Sequence, residues 1–182
     1  DVKSVDTIVL QPHLEDAIDR VLSGNGSSDQ FNRLLLICGL NVNQVRLLRA
    51  YARYMRQIGF NLSYRYMANT LARYPAITKK IVDLFEAKFN LGETSVYQRL
   101  KDVAIESHAI GLALEDVTGV DDDRILRQYL VLVLATKRTN YYIQPKDPKE
   151  NPYLAFKMKP AEIPGMPRPV PHFEIFVYSS KM

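Results

Sequence analysis

The sequence predicts a mainly α fold, an irregular bundle of about seven helices with a small two-stranded β appendage at the C-terminus. Three observations predict it. Apolar residues recur with a period near 3.6 through most of the first 140 positions, the spacing of amphipathic helices. Capping residues and glycines interrupt that period at helix-length intervals. Beyond it, proline density rises from Gln144 to Asn151 and again from Pro160 to Pro171, and a short alternating run follows each stretch.

A first helix is predicted from about Pro12 to Leu22. Pro12 suits the first turn, Glu15 and Asp16 the positive end of the dipole, and Leu14, Ala17, Ile18 and Val21 form the stripe. Gly24 ends it. Asp29 caps a second helix closing at Gly39, and Asn41 caps a third whose stripe is Val45, Leu48, Ala52 and Met55, stopped by Gly59. Ser63 caps a short fourth carrying Met67, Leu71 and Tyr74. Pro75 breaks that helix and opens a fifth, where Ile77, Ile81, Leu84 and Phe85 share a face. The sixth has the cleanest period: Val96, Leu100, Val103, Ser107, Ile110, Leu114 and Val117. Asp121, Asp122 and Asp123 precede a seventh, apolar nearly all round from Ile125 to Ala135 and therefore predicted at the centre of the bundle.

In the last segment Leu154, Phe156 and Met158 face one way, and so do Phe173, Ile175 and Val177. Two strands alone are marginal in water, about three strands or a helix backing being needed, so a larger sheet is expected to complete them. The chain divides accordingly into a helical domain, residues 1–143, and a proline-rich linker with strands, residues 144–182.

Composition excludes several classes. A chain of 182 residues, 47% hydrophobic and 24% charged, is an ordinary globular one with room for one sizeable core. The longest apolar run, Leu130 to Ala135, is far short of the roughly 20 residues that cross a bilayer, and the N-terminus shows no secretory pattern. Cys38, the single cysteine, has no partner for an internal disulfide and reads as a small buried apolar side chain. A reducing cytoplasm is the simplest location. The formal net charge of +4 is mild.

Few patterns in the sequence carry chemistry. A dinucleotide site needs a glycine-rich turn from a strand into a helix, and Gly24-Asn25-Gly26 joins two predicted helices instead. His108 has Ala104 and Leu112 as its helical neighbours and reads as a half-buried structural histidine; His13 and His172 sit beside prolines. No metal site is predicted. Asp121, Asp122 and Asp123 read as dipole stabilisers rather than a divalent-cation site. Two groups stand out. Arg46, Arg49, Arg53 and Arg56 step by three, four and three along the third helix, with Tyr51, Tyr54, Tyr64 and Tyr66 close by, a candidate interaction face. Glu15, Asp16, Asp19, Asp83 and Glu86 are available to pair with it and no nucleic-acid motif accompanies it, which favours a solvated or interdomain face over nucleic acid. Arg138, Thr139 and Asn140 form a candidate interdomain joint, placed to cap the last helical carbonyls and fix how the chain leaves the helix.

Several strings occur together in a distinctive order. Ser28-Asp29-Gln30-Phe31-Asn32-Arg33-Leu34, then Val45-Arg46-Leu47-Leu48-Arg49-Ala50-Tyr51-Ala52-Arg53-Tyr54-Met55, Leu84-Phe85-Glu86-Ala87-Lys88-Phe89, Ala135-Thr136-Lys137-Arg138-Thr139-Asn140-Tyr141-Tyr142 and Ile163-Pro164-Gly165-Met166-Pro167-Arg168-Pro169 span most of the chain. In that order the chain resembles the large NAD-specific glutamate dehydrogenases of bacteria, where their helical region passes into the dehydrogenase core. The resemblance implies an internal piece of a longer enzyme that deaminates L-glutamate to 2-oxoglutarate and ammonium and passes a hydride to NAD. It places the catalytic and cofactor-binding residues beyond Met182, so this piece alone is expected to bind no cofactor and to be inactive. Its partners would be the remaining domains of a parent expected to be a homo-oligomer, with the helices as scaffold. The competing reading is a stand-alone helical module whose arginine and tyrosine face binds nucleic acid or an acidic protein.

Overall fold

The computed structural model describes residue 15 and residues 29–90, 92, 95–143 and 153–179. Of the predicted first helix only Glu15 lies among them; His13, the glycines at 24 and 26, and residues 144–152 lie outside.

Asp29 opens the first described turn. Its carboxylate accepts a hydrogen bond from the Phe31 amide at 3.0 Å, starting a 3-10 turn, Gln30–Asn32, that runs into α1, Arg33–Ile37. Gly39, at φ +62°, reverses the chain. The next helix, α2, Val42–Gln57, begins with a capping box: the Gln44 amide donates to Asn41 Oδ1 and the Asn41 amide to Gln44 Oε1, both at 2.9 Å. Ser63 caps α3, Tyr64–Arg73, and Pro75 takes the first position of α4, Pro75–Phe89, as predicted. Then follow α5, Val96–Leu114, and α6, Val120–Ala135. Six α-helices therefore stand among the described residues.

The appendage has three strands, not two. Ala135 passes without a loop into β1, Thr136–Thr139, which pairs antiparallel with β2, Leu154–Met158, and β2 pairs with β3, Glu174–Tyr178. The unpredicted strand, β1, is short, charged and fused to a helix, so it carries no alternating signal that periodicity detects. Thr136 marks the change of direction: its hydroxyl donates to the Leu132 carbonyl at 2.7 Å while its backbone turns extended.

The inner face of this sheet lies on the helices. Phe156 stacks on Tyr51 of α2 with ring centroids 4.6 Å apart, and Phe176 meets Tyr54 at 5.2 Å. Leu154, Met158 and Tyr178 are buried with them. Helices and sheet thus share one core, in which α6 is buried along Ile125, Leu126, Tyr129, Leu132 and Val133, as its apolar sequence predicts.

The predicted stripe of α5 divides in two. Ile110 and Leu114 are buried, whereas Val96 and Leu100 are 68% and 66% exposed. The first turns of α5 project past the core, which the middle of the helix touches at Val103 and its last turns enter. His108 accordingly lies exposed and not half-buried.

Candidate functional site at the helix–sheet joint

The joint is built where α6 becomes β1. Asn140, just beyond β1, acts as a further rung of the ladder: its Nδ2 donates to the Tyr153 carbonyl at 2.6 Å and its Oδ1 accepts from the Ala155 amide at 2.7 Å. Thr139 Oγ1 accepts from the Tyr141 amide at 3.1 Å and tightens the turn. These two residues fix how β2 meets β1. Arg138 is exposed, and no carboxylate among the described residues pairs with it.

The last carbonyls of α6 are held by a residue that no local sequence pattern singles out. Lys88, from the end of α4, donates from Nζ to the Val133 carbonyl at 3.0 Å and to the Leu134 carbonyl at 2.6 Å. Burial, with Lys137 nearby, pushes its ammonium down from 10.5 to about 8, and Glu162 partly opposes this. Glu162 itself accepts from Lys137 at 2.6 Å and faces Lys159 at 3.0 Å, and the Lys137 hydrogen bond foremost holds its carboxyl below the usual range. The only sequence signal for Lys88 is a cation in the last turn of an amphipathic helix. Its acceptors lie 45 and 46 positions away.

Across the joint, Tyr51 and Thr136 hydroxyls are 2.8 Å apart, Tyr129 donates to the Leu48 carbonyl at 3.0 Å, and Tyr54 donates to Glu174 at 2.8 Å. Asp122 is buried at the start of α6, accepts from Thr70 Oγ1 at 2.7 Å and forms an ion pair with Arg73. Burial raises its pKa, but the Thr70 and Arg73 hydrogen bonds outweigh that and leave the carboxyl below the ordinary carboxylate range. Asp121 and Asp123 pair instead with Arg124 at 3.0 Å and Arg127 at 2.8 Å along the helix.

The arginine row is not one free face. Arg49 is 5% exposed and grips Asp29 through two 2.9 Å hydrogen bonds, with Asn32 as a third acceptor at 2.8 Å. Asp29 lies outside the set of acids the sequence offered as partners. Arg46 is half-buried, Arg53 lies 4.7 Å over the Tyr64 ring, and Arg56 donates to the Phe60 and Leu62 carbonyls at 3.3 Å. Tyr51 and Tyr54 are fully buried, so neither is available to stack on a base.

Among the described residues no glycine-rich turn leads from a strand into a helix. No three His, Cys, Asp or Glu side chains among them gather as metal ligands. Burial pushes the Cys38 thiol up to about 11, which makes it inert. An open cleft of about 640 Å³ runs past Phe60, Arg124, Arg127, Gln128, Val131 and Pro164, but its arginines are already paired on their own helix.

Comparison with known families assigns the two sides of the joint separately. Residues 27–91 match the family description "Glutamate dehydrogenase, helical motif 3", and residues 109–182 match "Bacterial NAD-glutamate dehydrogenase, catalytic domain". The chain belongs to the bacterial NAD-glutamate dehydrogenase family. It is similar to proteins named NAD-specific glutamate dehydrogenase from three bacteria. It is 40% identical to that of Halomonas elongata over 92% of this chain and 10% of the relative. For Pseudomonas aeruginosa the identity is 41% over 98% of this chain and 11% of the relative, and for Mycobacterium tuberculosis 38% over 92% and 10%. The chain thus spans about a tenth of the length of these curated relatives. Within this glutamate dehydrogenase segment, the hydrogen bonds Tyr51–Thr136, Thr70–Asp122, Lys88–Leu134 and Tyr54–Glu174 all join the helical-motif residues to the catalytic-domain residues. None of the described helices is long and apolar enough to cross a membrane.

Proposed function

We propose that the parent of this segment oxidatively deaminates L-glutamate to 2-oxoglutarate and ammonium with reduction of NAD, and that the segment is its non-catalytic scaffold. The relatives' names support the activity, and the hydrogen bonds that tie helical-motif to catalytic-domain residues support the scaffold role. These bonds give the first strands of the dehydrogenase core a preformed backing, and a strand whose inner face is fixed on a packed core positions whatever it leads into. The helical part, residues 1–143, serves as platform, residues 144–182 begin the catalytic part, and Arg138, Thr139 and Asn140 form the joint. NAD and glutamate bind elsewhere in the parent, a cytoplasmic homo-oligomer, and the isolated segment is inactive.

The test is glutamate-dependent NAD reduction, followed by absorbance, for the full-length protein and for the 182-residue chain. Turnover by the full-length protein alone is expected. A full-length protein without glutamate turnover overturns the activity; turnover by the short chain overturns the scaffold role.

A further inference from the structure

The outer face of the sheet carries a pattern that the scaffold role does not use. Arg138 of β1 pairs in register with Lys157 of β2, and Lys157 pairs with Ile175 of β3; Ala155 pairs with Val177. Directly paired residues point to the same side of a sheet. This side is away from the core, for the neighbours Phe156 and Phe176 point inward. Ile175 is 69% exposed and Val177 54% exposed. The face is therefore apolar along β3 and cationic along β1 and β2.

Both halves are unfavourable as they stand. Two β-branched apolar side chains flank Ala155 on a surface open to water, and two cations face each other across adjacent strands, where like charges destabilise the pair. Lys157 lies 4.1 Å over the Phe173 ring, which steadies its ammonium without neutralising it. Arg138 has no carboxylate partner among the described residues. Exposed β-branched side chains beside cations that have no carboxylate partner among the described residues mark a surface that another segment covers.

We infer that this outer face is the seat of an acidic amphipathic segment of the same polypeptide, from the part of the catalytic domain that this sequence does not contain. Its apolar side covers Ile175 and Val177, and its carboxylates lie over Arg138 and Lys157. The inference rests on the proposed function, which supplies a parent about ten times longer than this chain, as the relatives are. Charge complementarity selects the occupant's sign, and the exposed valine and isoleucine select its amphipathic character.

Zero-length carbodiimide cross-linking of the wild-type full-length protein tests it, with peptides read by mass spectrometry and subunits mixed as light and heavy isotopes. Lys157 is expected to join an Asp or Glu of a catalytic-domain peptide outside this sequence and within the same subunit. Val177→p-benzoylphenylalanine, photolysed in the same protein, is expected to mark the same segment. Cross-links confined to residues 1–182, links between light and heavy subunits, or no link from Lys157 overturn the inference. If the photoreactive variant does not fold, the wild-type cross-link decides alone. Glutamate-dependent NAD reduction measured on the same preparation keeps the two readings apart: cross-link without turnover refutes only the activity, turnover without cross-link only this surface.

Discussion

Lys88 Nζ lies 2.6 Å from the carbonyl of Leu134, so a cation at the C-terminal end of one helix caps the C-terminal end of another. Each helix end carries a partial negative charge, and one ammonium serves both. Replacing it by methionine keeps most of the apolar volume and leaves two carbonyls without their donor. The cost of such orphaned groups is about 1–3 kcal/mol. Lys88→Met is therefore expected to lower the melting temperature of the chain by several degrees, at about 2–4 °C per kcal/mol for this size. An unchanged melting curve refutes the capping role.

The same lysine sets a pH dependence whose sign follows from linkage. Its pKa is about 8 in the fold and 10.5 ordinarily, so between those values the unfolded chain holds the proton more often than the folded one. Stability then rises with pH from about 8, and above about 9 the buried Cys38 thiol, pushed up to about 11, offsets that rise. Above about pH 10 buried phenols reverse the slope. Burial raises Tyr51, Tyr54 and Tyr129 above their ordinary range, so their contribution is full below that range and is lost as the unfolded chain ionises. Denaturant midpoints measured from pH 7 upward should climb, then fall. In Lys88→Met the climb should disappear and the fall remain.

Asn140 and Arg138 separate two roles that adjacency in sequence conceals. Asn140 supplies two hydrogen bonds to β2 backbone, whereas Arg138 touches no described carboxylate. Asn140→Ala should destabilise the chain by about 0.5–1.5 kcal/mol for each of these bonds, the net worth of a hydrogen bond that water can partly replace. Arg138→Ala should change it by no more than about 0.5 kcal/mol, as surface substitutions do. In the full-length protein a selective rise in KM for glutamate on Arg138→Ala, at unchanged melting, would instead place Arg138 at substrate.

These contrasts show where the sequence was readable. Asn41, Ser63 and Pro75 act within one turn of their own helix, so local chemistry announces them. The apolar period of α6 likewise predicts its burial, because a helix apolar all round has nowhere else to go. Strand β1 was not legible, since four residues fused to a helix give neither alternation nor a turn signal. The exposed start of α5 shows a further limit: periodicity says which residues share a face and not whether anything covers it. Lys88 and the Arg49–Asp29 pair depend on helices meeting in space, which spacing along one helix does not encode.

Asp121, Asp122 and Asp123 offer a sharper test of that last point, because sequence treats them alike as first-turn acids favoured by the helix dipole. Their surroundings differ. Asp121 and Asp123 make solvent-exposed pairs three and four residues along α6, a type of pair that contributes about 0.2–1 kcal/mol. Asp122 is 3% exposed, and removing it leaves Thr70 without its acceptor and Arg73 without its counter-charge. Asp122→Ala should cost about 1–3 kcal/mol, well beyond either neighbour. Because its folded pKa is depressed, its contribution is present above the ordinary carboxylate range and is lost as pH falls through the lowered value. Denaturant midpoints of the three alanine variants at neutral pH and near pH 3 check both statements. The gap between Asp122→Ala and wild type should narrow in acid, and equal losses for all three at neutral pH would mean that the helix dipole alone explains them.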